Sequence, residues 1–366
     1  MNTKKFIAAG AAIGIAVTLL ASVPASAEPV ANGPVIVGSD TLQDVMNALA
    51  NGTTISGGSV RSTAGSANAA SFDATGSTTI QTKSGGNRFG RPNGSGDGVK
   101  ALSRSIDGQP YTSATSGSPV GVTITNQVDV ARSSSGASMV SDGPLLYIPF
   151  GRDALSYAHS GGNNTAFDNI DQATLKGIFE CTITEVGGVT VVPVIPQSGS
   201  GTRADFISKV GIGTLGGCVK VGQEHDTSTL ANGDAFPANA ITAMSAAQWV
   251  AQNTGAGVDR RGAGVKIGSP IAGTPAVTGT GASMVPNSAF YANSTWGRDT
   301  YIVVENARVT AADAKYDPNL ANLVSNATAK LGNTQSALSS QAGSVKKKFG
   351  FLAPSTTTPF RAALRS

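Results

Sequence analysis

Three corners of this chain bring glycine and hydroxyl side chains together where a helical pattern begins: Gly38-Ser39-Asp40-Thr41, Asn93-Gly94-Ser95-Gly96-Asp97-Gly98 and Ser198-Gly199-Ser200-Gly201-Thr202. The first backbone N–H groups of a helix have no intrahelical partner, and the helix dipole adds partial positive charge there. Glycine lets a ligand approach the backbone, and serine and threonine hydroxyls rotate to donate as well. Together they make an anion site. One such corner is ordinary capping, but three in one chain, two of them beside Arg91 and Arg203, favour a ligand. None ends in Gly-Lys-Ser/Thr, so none is a P-loop.

The flanking patterns say what must position these corners. Val35-Ile36-Val37 reads as a strand, and Leu42, Val45, Met46 and Leu49 recur at helical spacing over Thr41 to Leu49, with Asp40 and Gln43 set as a capping box. Residues 51–84 read as loops and short strands. A helix is expected from Val99, a short strand over Val128 to Ala131 running into Arg132-Ser133-Ser134, and a strand over Val189 to Ile195. After the third corner a helix over Arg203 to Val210 should stop at Gly211. Strands alternating with helices predict α/β architecture, in which such corners gather at the carboxyl ends of the strands.

Other chemistry finds little footing. The only histidines are His159 and His225, and neither a G-x-S-x-G elbow nor a His-x-x-x-His spacing occurs, so no catalytic residue and no metal site is assigned. Glu224-His225-Asp226 offers a base without an identifiable nucleophile, and is expected to be a surface turn. Asp153 is expected to pair near Arg152, and Lys346-Lys347-Lys348 to form a solvated helix end.

Composition narrows the class further. Of 366 residues, 40% are hydrophobic and 13% charged, against about 25% charged in ordinary globular chains; the length suits two domains or one domain in two lobes. Lys4 and Lys5, an apolar run from Phe6 to Val23 and the triplet Ala25-Ser26-Ala27 form a secretory signal peptide over residues 1–27, cleaved after Ala27. The remainder carries 24 basic and 22 acidic groups, too balanced for a nucleic-acid surface. Cys181 and Cys218, the only cysteines, would pair in an oxidising compartment. With no Cys near the cleavage point to take a lipid, the expected product is a secreted protein, free outside the membrane or in a periplasm-like space.

The corners, taken in order with Asp129-Val130-Ala131-Arg132-Ser133-Ser134, resemble the substrate-binding proteins of phosphate ABC transporters, and more closely their exported actinobacterial relatives. The resemblance runs from about residue 34 to about 305, with Ser198 to Thr202 its most specific part. It implies a two-lobed type II periplasmic-binding-protein fold with two crossover segments and a ligand cleft. The first lobe would hold 34–145 and 295–366, the second 146–294, and Thr300 to Glu305 would be the strand returning to the first. It implies inorganic phosphate as ligand, no cofactor, a monomer, and an ABC permease as partner.

Position by position, the resemblance implies donors from Ser39, Thr41 and Ser95 on one lobe and from Ser200, Gly201 and Thr202 on the other. Two departures stand out. Relatives place an arginine four residues before the serine matching Ser200, where this chain has Pro196, so Arg132 or Arg203 should supply the guanidinium. Relatives also use an aspartate, where this chain has Ser134, to accept the proton of hydrogen phosphate and so exclude sulfate. Asp40, or else Asp97, is expected to take that role, against a reading of Asp40 as a helix cap. The competing functions are an exported surface protein that has lost its ligand and, with less support, a secreted phosphatase.

Overall fold

The computed structural model describes residues 30–334 and 338–366; the expected signal peptide lies outside the described residues. The chain opens with β1 (Val35–Gly38), a 3-10 turn over Asp40–Leu42 and α1 (Gln43–Asn51). All of β1 is buried. Its alternation sends Val35 and Val37 to a core with Val99 and Leu102, and Ile36 to one with Leu42, Val45, Met46 and Leu49. A strand apolar on both faces must be covered on both, which sets α1 and α2 (Ser95–Asp107) on opposite sides of it.

The other strands of the main sheet are β2 (Ala70–Ser71), β3 (Val130–Ser133), β4 (Leu145–His159), β5 (Val192–Pro196), β6 (Lys220–Gly222), β7 (Ala240–Ser245), β8 (Lys266–Ile267), β9 (Gly297–Glu305) and β10 (Phe360–Ala362). Among the described residues its order is β6-β5-β7-β4-β9-β3-β1-β2, with β8 and β10 joined to β4 off that path. β1 is parallel to β2 and β3, and β5 to β6 and β7. Between these two parallel groups lie β4 and β9, antiparallel to each other. β4 pairs with β9 as far as Ala154 and with β7 from Leu155 onward, so one strand serves both halves.

The result is a two-lobed α/β fold crossed twice, by β4 and β9. The second lobe gathers Ile195, Phe206 of α4 (Gly201–Val210) and Phe179 of α3 (Gln172–Phe179) into its own core. α5 (Ala246–Thr254) gives Trp249 and Val250 to that core, and Ala247 and Ala251 to the core holding Phe150 and Phe351. Cys181 and Cys218 form a disulfide with Cα atoms 6.1 Å apart, tying the end of α3 to the approach to β6.

Several expectations are corrected. α2 starts at Ser95 rather than Val99, and β9 at Gly297 rather than Thr300. The capping box does not form: the Gln43 side chain accepts the Ala74 N–H at 2.7 Å instead, and no side chain caps the 3-10 turn. Lys346, on α6 (Ala342–Lys348), is buried, donating to the carbonyls of Phe150 (2.9 Å) and Leu331 (2.7 Å) above the Phe150 ring. Helical spacing explains this: Ala342 and Phe349, four before and three after, lie on the same buried face. Burial pulls the Lys346 pKa well below the ordinary lysine value. His225 is buried too, not on a surface turn. The Gly211 stop is as expected, with its N–H on the Ile207 carbonyl.

Candidate functional site

The three corners meet. Gly94 and Gly199, at φ of 110° and 87°, bring the second and third corners backbone to backbone, and Gly96 donates its N–H to the Gly199 carbonyl at 3.2 Å. Ser95 Oγ accepts the Ser134 N–H at 2.9 Å and lies 3.0 Å from Ser134 Oγ. Gly201, at the start of α4, sits so close that a Cβ there would fall 2.5 Å from Ser95 Oγ and 2.6 Å from Ser134 Oγ. Only glycine fits. Ser200 caps α4 by accepting the Arg203 N–H at 2.9 Å, and Ser39 Oγ is buried with no partner.

Beside this neutral cluster lies a charged one, built on Thr41 of the first corner and Thr202 of the third. Their hydroxyls are 3.3 Å apart. Arg298 Nη2 donates to Thr202 at 2.9 Å and to Thr41 at 3.3 Å, while Nε binds Asp153 (2.9 Å) and Nη1 binds Asp205 (3.0 Å). Burial would lower the Arg298 pKa, but Asp153 and Asp205 overcome it and raise it above the usual value. Asp153 also accepts Ser245 Oγ (2.8 Å) and the Ala247 N–H (3.0 Å), so its partner is Arg298 on the other crossing strand rather than Arg152.

Glu224 completes the cluster. Its Oε1 accepts the Thr41 hydroxyl and lies 3.1 Å from His225 Nε2, which is itself 3.0 Å from Thr41 Oγ1. Burial pushes this carboxyl up, yet His225 and the nearby Ser200 and Thr202 side chains outweigh it and hold it at about 2. For Asp40, burial and then the charge of Glu224 push the carboxyl well above its usual value. The two acids are thus driven apart, the Glu224 carboxyl held below its usual value and the Asp40 carboxyl raised above it.

The expected guanidiniums point elsewhere. Arg132 is wholly buried beneath the first corner, where Nη2 donates to the carbonyls of Gly38 (2.7 Å) and Phe72 (2.8 Å) and Nη1 to Ser71. Burial lowers its pKa to about 10. Arg203 turns back to the Pro196 carbonyl at 2.8 Å. Asp97 holds the second corner together, accepting Ser113 Oγ (2.7 Å) and the N–H groups of Ala114 and Asn93. The position beside Pro196 is used by Gln197, whose side chain donates to Asn93 (2.6 Å) and accepts the Glu224 N–H (2.7 Å). Gln197 and Arg298 escape a motif-based reading; Arg298 stands beside Asp299 at the polar start of a crossing strand, ahead of the apolar Tyr301 to Val304, and nothing local marks it.

Hydroxyl, imidazole and carboxylate in contact invite a catalytic reading, and the geometry speaks against it. His225 Nδ1 faces the Ser245 N–H at 3.5 Å, which puts a ring proton on Nε2, the atom nearest Thr41. The Thr41 proton then goes to Glu224, a carboxylate too weakly basic to activate an alcohol.

A family model described as a PBP superfamily domain matches residues 35–314. No curated protein matches the chain in sequence. Among solved structures, an ABC-type phosphate transport receptor from Vibrio cholerae is 16% identical, with 88% of this chain and 100% of that one covered and a TM-score of 0.49. PstS from Borrelia burgdorferi is 13% identical, with 88% and 99% covered and a TM-score of 0.42. A human phosphate binding apolipoprotein is 13% identical, with 88% and 92% covered and a TM-score of 0.47.

Proposed function

Since the chain belongs to the PBP superfamily, and its glycine-hydroxyl corners meet between two lobes, we propose that it captures inorganic phosphate there for uptake through an ABC transporter. The observation that carries this is the seat of Gly201 against the Ser95 and Ser134 hydroxyls, which gives donors from both lobes one shared point. Ser39, Thr41, Ser95, Ser134, Ser200, Gly201 and Thr202 are the proposed donors. Arg298 takes the place expected of Arg132 or Arg203, and its charge is already balanced by Asp153 and Asp205. Binding therefore rests on N–H and O–H donors rather than on net charge.

Glu224 replaces Asp40 as the proposed acceptor of the ligand's proton. Its carboxyl is held low, at about 2, whereas that of Asp40 is raised, and sulfate, with no proton to give, leaves the Glu224 charge uncompensated. The protein acts as a binder, not a hydrolase, since no activated nucleophile stands in the site. It is exported after cleavage at Ala27 to the extracellular medium, the cell wall or a periplasm-like space and works as a monomer, with lobes of 34–145 plus 295–366 and 146–294.

Calorimetric titration tests the reading. Phosphate should bind, sulfate should bind at least ~100-fold more weakly, and tenfold more salt should change the phosphate affinity by less than about tenfold. Absence of phosphate binding at micromolar protein removes the function and favours a second reading, an exported surface protein that kept the fold. That reading draws on the Ser95–Ser134 and Thr41–Glu224 hydrogen bonds, which already satisfy these hydroxyls within the chain.

A further inference from the structure

Behind Glu224, on the side of Asp40 and Arg260, lies a cavity of about 70 Å³. Three residues of its wall carry a buried oxygen with no hydrogen-bond partner: Gln223 Oε1, Glu224 Oε2 and Gln248 Oε1. Gln248 is 2% exposed and Glu224 3%. The Gln248 amide cannot be turned around, because its nitrogen already donates to the carbonyls of Thr41 (2.9 Å) and Asp40 (3.3 Å). All three orphan atoms are acceptors. The occupant that satisfies them must bring donors or positive charge.

Charge and size narrow the choice. Arg260 also lines the cavity, but its guanidinium lies 3.3 and 3.4 Å from the Asp44 oxygens. Asp226, another lining residue, spends Oδ1 on its own turn at Ser228. Glu224 turns Oε1 to His225, another lining residue, at 3.1 Å, and its Oε2 has no hydrogen-bond partner. The volume suits one or two water-sized species. Among the described residues no group of three or more His, Cys, Asp or Glu could hold a metal ion, so a divalent cation is a poor match for a set with one ionised carboxylate and two amide oxygens.

We propose that this cavity binds a small monovalent cation, an alkali ion or ammonium, held by Gln223, Gln248 and Glu224. A charge there offsets the one Glu224 presents to Thr41 and Thr202. Cation and anion capture are then mutually favourable, a linkage that rests on the phosphate reading above.

The test compares the full mature chain in sodium, potassium, ammonium and N-methylglucamine chloride at equal ionic strength, by thermal unfolding and by phosphate titration. A small cation should raise the unfolding temperature over N-methylglucamine and tighten phosphate binding about fivefold or more. Gln223→Ala, at a partly exposed position, should abolish both differences and leave the N-methylglucamine values unchanged. Equal unfolding temperatures and equal affinities in all four salts overturn the proposal and assign the cavity to water. A cation-dependent unfolding temperature without phosphate binding in any salt upholds the cation site and removes the phosphate reading. Phosphate binding with no cation dependence does the reverse.

Discussion

The two halves of the candidate site solve the problem of burying polar groups in opposite ways. Around Ser95, Ser134 and Gly201 every group is neutral, and glycine lets backbones close until hydroxyls and amides satisfy one another. Around Thr41 and Thr202 the same kind of hydroxyls are embedded among Arg298, Asp153, Asp205 and Glu224. A neutral cluster loses one hydrogen bond when one partner is removed, typically about 1 kcal/mol net. An ionic cluster loses the compensation of a buried charge, which costs several times more. The first half can adapt to a ligand; the second is fixed.

The largest expected effect follows from that contrast. Arg298→Met removes the guanidinium that bonds both Asp153 and Asp205 and should destabilise the fold by about 3–5 kcal/mol in urea unfolding. Arg298→Lys should recover only part of this, since one ammonium cannot reproduce the fork that reaches Asp153, Asp205 and Thr202 together. A loss within about 1 kcal/mol for Arg298→Met would erase the distinction between the halves.

A smaller effect should appear in acid. The folded value for Glu224, about 2, lies below the ~4.3 of an unfolded chain. Its contribution is therefore fully present above about pH 5 and is lost as pH falls toward 2, up to roughly 3 kcal/mol. Asp40 has the opposite sign: raised in the fold, it costs stability as pH climbs from its unfolded value to its folded one. In Glu224→Gln both dependences shrink, because the charge that helps to raise Asp40 is gone. Urea unfolding from pH 2 to 7 should give a flatter curve than the parent; an unchanged curve would mean the acid sensitivity lies elsewhere.

What sequence could and could not supply divides along the same line. Ser95, Ser200, Gly201 and Thr202 are visible because their chemistry is local: a helix start, a cap and a close approach are written in adjacent residues. The disulfide is visible because only two cysteines exist. Arg298 is not, since it is 96 residues from Thr202 and 257 from Thr41, and only the pairing of β4 with β9 places it beside Asp153. Glu224 and His225 are visible as residue types but not as buried ones, because nothing in Gln223 to Asp226 announces burial. Arg132 and Arg203 mislead for a related reason: a corner arginine reads as a ligand group until its guanidinium is seen spent on carbonyls.

The neutral half can be probed alone. At Gly201 an added methyl meets two hydroxyls, and neither can retreat freely, since Ser95 Oγ holds the Ser134 N–H. Gly201→Ala should therefore cost about 1–3 kcal/mol by overpacking. It should also remove most phosphate affinity, because the lobes can no longer close to the separation at which both sets of donors reach one ion. Gly217→Ala is the control: a Cβ there meets nothing within 4 Å, so both readings should stay at the parent's values. If Gly201→Ala loses stability but keeps its phosphate affinity, the meeting of the corners serves packing alone, and the ionic half must hold the ligand. If it keeps both, the hydroxyl cluster yields more readily than its hydrogen bonds imply, and the contrast between an adaptable half and a fixed one holds with a larger margin.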